Sequence, residues 1–155
     1  GLFWDATTAN LIPMARQGNM AVTVMGEDGV AYDLRLENRH LKVKCSLDRG
    51  EPRFRLEVQL EANLVSVSPS AQKRTDVTQQ AARALERRAI QDYTFAIQNF
   101  TMEGGVDFLS LGKYFSFQYP AKWEIFSKNW ENYLKKLDCE IVASAKVLDQ
   151  RGVVD

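Results

Sequence analysis

One long alternating segment limits the possible folds of this chain more than any other feature of its sequence. From Arg53 to Ser66, every second residue is apolar, and the residues between them are mostly charged or amide side chains. The apolar positions are Phe54, Leu56, Val58, Leu60, Ala62 and Leu64. Successive side chains of a β-strand point to opposite faces. The segment therefore predicts a strand with one face against a core and the other in solvent.

Two shorter alternating segments precede this strand. Apolar side chains alternate over residues 20–25, and the turn-forming residues 26–29 follow. In the next segment the apolar residues stand at even positions up to Leu36 and at odd positions from Leu41 onward. Because a one-residue shift moves side chains to the opposite face of a sheet, we predict a bulge or a turn near residues 38–40. The first part of the chain thus predicts antiparallel strands.

Three helices are predicted after the strands. The first begins at Asp76, whose side chain is expected to cap it, and runs to about residue 102. Asp107 is expected to cap a shorter second helix, which ends before Pro120 because proline disfavours a helical residue before it. Pro120 suits the first turn of a third, amphipathic helix that continues to about Leu137.

The last alternating segment, Cys139 to Val147, predicts a strand that returns to the sheet formed by the first strands. Strands, three helices and one more strand follow each other without an internal repeat. This order predicts an α+β fold: a mainly antiparallel sheet with about three helices packed on one face. The 155 residues suffice for a single domain over residues 1–155. Since the sequence starts without methionine, we interpret it as an excised fragment of a larger protein.

Little in the sequence suggests catalysis or a bound cofactor. His40, Cys45 and Cys139 are the only imidazole and thiol groups, too few for a four-ligand structural zinc site. No glycine-rich phosphate loop is present, and we interpret His40 as a surface residue. The net charge is zero, which argues against nucleic acid as a partner. We therefore predict no catalytic, cofactor-binding or metal-binding residues. Two cysteines permit a disulfide without requiring one.

Two groups of residues are candidates for a partner-binding surface. Seven lysine or arginine side chains and three acidic ones lie between residues 35 and 55, which predicts a basic surface for an acidic partner or an anionic membrane. An ordinary solvated sheet face is the alternative. Aromatic residues are dense from Tyr114 to Trp130, and core packing is the alternative there. The partner-binding candidates are Arg35, Arg39, Lys42, Lys44, Tyr119 and Trp123.

Several segments together resemble one family. They are Asp107-Phe108-Leu109-Ser110-Leu111-Gly112, Tyr119-Pro120-Ala121-Lys122-Trp123, Lys128-Asn129-Trp130, the last strand with Arg151-Gly152-Val153, the strand Leu56–Val67, and Gly1-Leu2-Phe3-Trp4. In this order they resemble the C-terminal domain of the Ger(x)C family, the C subunits of the nutrient germinant receptors of bacterial endospores. That family usually has glycine at the position of Ser110 and has more lysine in its strands.

The resemblance implies a lipoprotein subunit on the outer surface of the inner spore membrane. It implies an N-terminal lipid anchor on a part of the protein that this segment lacks, and two membrane-embedded partner subunits of the A and B type. It further implies a non-catalytic role in receptor assembly and nutrient-triggered germination, with no site residue to transfer. A small-ligand-binding or enzymatic domain with a cleft between helices and sheet remains an alternative, as does an adaptor unrelated to germination.

Overall fold

The structure, a computed structural model, describes residues 20–151 of the chain. Within these residues, four strands and four α-helices are formed; the order strands, helices, strand is the predicted one. The strands are β1 (Met20–Met25), β2 (Ala31–Asp48), β3 (Glu51–Val67) and β4 (Asp138–Asp149). The helices are α1 (Val77–Ala96), α2 (Leu111–Gln118), α3 (Pro120–Phe126) and α4 (Trp130–Lys135).

The predicted first and third helices are each less regular than expected. α1 continues into a π-helical turn, Ile97–Glu103. A 3₁₀ turn, Ser127–Asn129, divides the third helix into α3 and α4. The predicted break at Pro120 is confirmed, because α2 ends at Gln118 and Pro120 opens α3. The predicted cap of α1 is not formed as expected: the Asp76 carboxylate accepts hydrogen bonds from the side chains of Arg74 and Gln80 and not from a backbone N–H of the first helical turn.

The four strands form one sheet in the order β1-β2-β3-β4, so the predicted return of the last strand to the sheet is confirmed. β1 runs antiparallel to β2, from Met20 opposite Leu36 to Met25 opposite Ala31. β4 runs parallel to β3, because their contacts advance in the same direction along both strands. Those contacts join Arg53 with Asp138, Arg55 with Glu140, and Leu64 with Gln150. A helical crossover such as the one between β3 and β4 returns the chain in the same direction.

The predicted change of side-chain direction in the second strand occurs without a turn. β2 is continuous, yet its buried residues are even-numbered up to Leu36, whereas the buried residue near its end is Cys45. The change is therefore a bulge, and the alternative of a turn was wrong. A second change, which the sequence did not indicate, lies at the end of β3, where the exposed Val65 and Ser66 separate the buried Leu64 and Val67.

The described residues form two compact units. The first, here called the aromatic unit, contains residues 41–57 and 93–142. The second, here called the α1 unit, contains residues 20–40, 58–92 and 143–151. In the α1 unit, the buried face of α1 is rich in alanine. The buried residues of this face include Val77, Ala81, Ala84, Leu85 and Ala89.

The turn between β2 and β3 provides a test of the hairpin geometry. Arg49 has a φ of 52° and Gly50 a φ of 79°, the two positive values of a type I′ turn. Because asparagine tolerates a left-handed backbone better than arginine, Arg49→Asn should raise the free energy of unfolding by about 0.5 kcal/mol. Urea denaturation measures this change. Arg49→Ala, which keeps the steric penalty, should bring no gain, and a less stable asparagine variant would contradict the turn type.

Candidate functional site

The aromatic residues of the predicted third helix surround one buried ring, that of Phe115. Phe115 is completely buried, and its ring centroid lies 5.5 Å from that of Phe126 and 6.0 Å from that of Trp130. Phe54 of β3 contacts the same group, with its ring centroid 6.4 Å from that of Phe115. Offset and edge-to-face aromatic pairs at such distances stabilise a core beyond their buried area. This aromatic cluster is therefore the core of the aromatic unit.

Gly112 is required where α2 approaches two tryptophans. A Cβ atom at this position would lie 2.8 Å from Cη2 of Trp123 and 3.0 Å from Nε1 of Trp130. The two indoles are themselves in edge contact, with ring centroids 5.0 Å apart. Any larger residue at position 112 would have to displace one of these rings. The glycine of the DFLSLG segment thus has a packing role.

Asp107 links the start of α2 to Trp130. Its Oδ1 accepts a hydrogen bond of 2.7 Å from the backbone N–H of Leu111, and its Oδ2 accepts one of 2.8 Å from Gly112. Trp130 donates its indole N–H to Oδ2 over 3.2 Å. The predicted cap is confirmed, because this carboxylate satisfies backbone donors that the first helical turn leaves unpaired. The carboxylate also fixes the orientation of an indole ring in the cluster.

Ser110 has a left-handed backbone conformation, with φ 56° and ψ 42°. Non-glycine residues rarely adopt this conformation because their Cβ approaches the following carbonyl oxygen. Glycine adopts this conformation without a steric penalty, which explains why it suits position 110 in the family that the sequence resembles. Backbone and packing requirements thus explain three residues of this segment: Asp107, Ser110 and Gly112.

Tyr119 and Trp123, the two aromatic partner-binding candidates, are half-buried and pack against the core cluster. The ring centroid of Tyr119 lies 5.3 Å from that of Phe115, and that of Trp123 lies 6.3 Å from it. The most exposed aromatic residues lie instead on α2, where Tyr114 is 44% and Phe117 is 77% exposed. Sequence reasoning included both in the aromatic segment 114–130 but did not select them as partner-binding candidates, although the helical period that turns Phe115 inward turns Phe117 outward.

The four basic candidates lie on β2, in two different units. Arg35 is exposed and Arg39 half-buried in the α1 unit, whereas Lys42 and Lys44 are exposed in the aromatic unit. Lys44 Nζ lies 3.0 Å from Glu57 Oε1, and this hydrogen bond lowers the pKa of Glu57 below its usual value. His40 is exposed on β2, as predicted.

Several basic side chains of the segment 35–55 form ion pairs with acidic residues from other parts of the chain. Arg53 Nε lies 3.6 Å from an Asp138 oxygen, and Arg55 Nη1 lies 3.9 Å from a Glu140 oxygen. All four side chains are about half exposed, so these pairs contribute little stability. Counting the charged residues between 35 and 55 could not reveal these ion pairs, because the acidic partners belong to β4, far away in the sequence.

Both cysteines are free thiols, which answers the question that the sequence left open. Cys45 is buried, and its Sγ lies 3.2 Å from Gln118 Oε1 of α2. Burial raises the pKa of Cys45, and it raises the pKa of Cys139 to about 11. Thiols protonated to this degree are weak nucleophiles at neutral pH.

The cleft between helices and sheet in the aromatic unit is small. Beside Trp130 it has a volume of about 140 Å³, with Phe54 and Tyr133 in its wall and Lys136 and Asp138 among its polar lining residues. Ligand pockets in proteins commonly measure roughly 300–1,000 Å³. Over residues 20–151, no group of three or more metal-ligating side chains is found. None of the helices in that part of the chain is long and apolar enough to cross a membrane.

Comparison with known proteins identifies the family. The C-terminal domain of spore germination B3/GerAC-like proteins matches residues 7–150. The chain belongs to this family, and the resemblance stated above is confirmed. A similar fold occurs in the crystal structure of the GerBC protein, with a TM-score of 0.75 and 16% sequence identity over 91% of this chain. The match spans 44% of that longer protein. No curated protein sequence matches this chain.

The remaining segments on which the resemblance was based lie outside the described residues. They are Gly1-Leu2-Phe3-Trp4 at the start of the chain and Gly152-Val153 near its end. The segments that the structure does describe occupy α2, α3, α4, β3 and β4.

Gly112→Ala tests the contact between α2 and the two tryptophans. The added methyl group overlaps the Trp123 ring, so the variant should lose about 1–3 kcal/mol of its free energy of unfolding, the usual effect of overpacking. Chemical denaturation followed by tryptophan fluorescence measures the loss. Lys113→Ala, on the exposed side of the same helix, is the matched control and should change stability by less than about 0.5 kcal/mol. Equal stabilities of the two variants would show that Gly112 is not closely packed.

The pKa of Cys139 predicts slow alkylation of the folded chain. At pH 8 a thiol of pKa 11 is only about 0.1% thiolate, so native Cys139 should react with iodoacetamide about a hundredfold more slowly than in urea. Since folding raises this pKa, the stability it contributes is present below pH 9 and decreases as the pH rises toward 11. Mass spectrometry of the labelled peptides measures the rates. Equal rates in both states would contradict the raised pKa.

Proposed function

We propose that this chain is a non-catalytic subunit domain of a spore germinant receptor, contributing to receptor assembly and nutrient-triggered germination. The observation that carries the proposal is the use of the family-typical motif as a packing element. Asp107 caps α2 and orients Trp130, and Gly112 gives both tryptophans room. Catalysis requires polar groups that converge on a reacting atom in a desolvated cleft. The polar group of this motif is instead occupied by backbone and indole N–H donors.

The proposed partners are the two membrane-embedded receptor subunits of the A and B type. In the full-length protein, a lipid anchor preceding this domain would hold it at the outer surface of the inner spore membrane. Arg35, Arg39, Lys42, Lys44, Tyr119 and Trp123 are the proposed contact residues. For Arg35, Lys42 and Lys44, exposure on β2 supports a role in charge-dependent docking, whereas Arg39 of the same strand is half-buried. Tyr119 and Trp123 contribute the partly exposed edges of their rings.

The alternative of a ligand-binding or enzymatic domain requires an open polar pocket behind Trp123 and Trp130. Phe115 fills that space and is completely buried. The cleft beside Trp130 measures about 140 Å³, which is below the range of small-molecule sites. The volume of this cleft therefore argues against a small-molecule site behind Trp123 and Trp130.

Charge reversal in spores tests the proposed assembly role. The variant is the full-length protein with Arg35, Arg39, Lys42 and Lys44 all changed to glutamate. It should co-precipitate several-fold less of the two membrane subunits, because like charges then face each other. Germination, followed by loss of optical density after nutrient addition, should slow in parallel.

Two controls accompany the charge reversal. The first is a second fourfold variant with the same net charge, in which four other exposed basic residues are changed to glutamate. These residues are Lys73, Arg83, Lys113 and Lys128. His40→Ala should leave both folding and germination unchanged. Loss of germination in a His40→Ala protein that still folds and assembles would refute the non-catalytic role. Normal assembly of the fourfold reversal would refute the role of the basic residues.

A further inference from the structure

We propose that the open edge of β2 in the aromatic unit binds an extended segment of a partner protein as an additional β-strand. The apolar side chains of this segment would lie against α2, and its acidic side chains beside Lys42 and Lys44. The inference rests on the proposed assembly role and specifies how a partner is held. We call this surface, formed by β2 residues 41–47 with Tyr114 and Phe117, the β2 edge.

The first observation is that β2 is much longer than the strand beside it. β1 pairs only with the first six residues of β2, and its first residue, Met20, lies opposite Leu36. Among the described strands, only β3 neighbours the remainder of β2. A strand with one open side presents unpaired N–H and C=O groups, which form a template for another strand.

The turn that joins β2 to β3 determines which backbone groups face this open side. In a two-residue hairpin, the residues flanking the turn form a hydrogen-bonded pair. Asp48 and Glu51 are that pair, so the even-numbered residues of β2 near the turn bond to β3. The N–H and C=O groups of the odd-numbered residues point outward. These residues are Leu41, Val43, Cys45 and Leu47.

At the opposite edge of the sheet, formed by β4, a side chain already occupies one of the backbone donors. On β4, Ala145 donates its backbone N–H to Glu86 Oε2 of α1 over 3.0 Å. This carboxylate occupies a donor that an incoming strand would need. Within residues 20–151, no side chain forms such a bond with the backbone of residues 41–47. As far as residues 20–151 are concerned, the β2 edge is therefore open to pairing, whereas β4 is blocked at Ala145.

α2 places Tyr114 and Gln118 next to the β2 edge, and the exposed Phe117 follows Tyr114 by one helical turn. The Sγ of Cys45 lies 3.7 Å from the carbonyl oxygen of Tyr114 and 3.2 Å from Gln118 Oε1, so this helix lies directly over β2. Tyr114 neighbours both Phe117 and Gln118 on the surface of α2, because they follow it by three and four residues. Phe117 is 77% exposed. Beneath them, Val43 and Leu47 are only partly buried, so an added strand would bury apolar surface on this side.

The charges of β2 determine the chemistry of the partner. Lys42 and Lys44 are exposed on the face of β2 opposite to α2, where Lys44 also pairs with Glu57 of β3 over 3.0 Å. In an added strand, alternate side chains would point to this face and lie across from the two lysines, where acidic residues are favoured. A second copy of the same edge would place lysine near lysine, which is unfavourable. The surface thus fits a partner segment in which acidic and apolar residues alternate.

Peptide binding to the purified 155-residue chain tests the proposal. The probe is a fluorescein-labelled octapeptide of alternating glutamate and valine, and the control peptide has lysine in place of glutamate. Fluorescence anisotropy should show saturable binding of the first peptide and at least about fivefold weaker binding of the second. No saturable binding up to roughly 1 mM, which corresponds to the weakest useful affinities, overturns the proposal, as does equal binding of both peptides.

Variants locate the bound peptide. Phe117→Ala should weaken binding at least about fivefold, as expected for a central aromatic contact, whereas Ile125→Ala, which also removes an exposed apolar side chain, should change it less than about twofold. Val43→Pro removes an outward N–H without disturbing the pairing with β3, and it should abolish binding. Ala143→Pro, which removes an outward N–H at the opposite edge, should not. Equal effects at both edges or at both apolar residues would overturn the proposal.

Photo-crosslinking in spores then separates the possible occupants. A benzophenone amino acid at position 117 of the full-length protein should form an adduct with an acidic, extended segment of another protein. An adduct with residues 1–19 of the same chain or with a second copy overturns the inference. Because peptide binding is measured without the receptor, it distinguishes failure of this inference from failure of the proposed assembly role.

Discussion

The uninterrupted apolar face of β3 is the constraint on which both units depend. From Phe54 to Leu64 its even-numbered residues are all buried, with at most 2% of their surface exposed. In the aromatic unit, Phe54 contacts both Phe115 and Trp130, with ring centroids 6.4 and 6.2 Å away. In the α1 unit, Leu60 and Leu64 lie in the same core as the alanine-rich face of α1. A register shift of one residue would expose this face, so the strand fixes where helices can pack.

The family-typical motif is best understood as a way of closing an aromatic core with short helices. α3 and α4 contain seven and six residues, too few for stability on their own. Contacts around Phe115 and the hydrogen bonds of Asp107 supply the tertiary support that such helices need. Because these side chains are used for packing, functional differences between family members are expected on the surfaces that surround the core.

Much of the fold could be predicted because its signals are local. The alternation of β3 and β4, the break at Pro120 and the cap at Asp107 each depend on neighbouring residues. The parallel direction of β4 could not be predicted in this way, since it depends on contacts between residues about 85 positions apart, such as Arg53 and Asp138. The same sequence separation made the acidic partners of the basic residues unpredictable. Of the candidate site, the exposure of Lys42 and Lys44 was predictable, whereas that of Phe117 required the orientation of α2.

The sheet also shows how an edge can remain open without self-association. Glu86 blocks one donor of β4, and β1 covers only the first part of β2. Along the uncovered part, Lys42 and Lys44 alternate with partly buried apolar residues. Lysines on an edge strand disfavour pairing with an identical strand, but they attract an acidic one. Charge can therefore distinguish between a second copy and a different protein, while the backbone groups stay available. A surface for assembly with a different protein requires both properties.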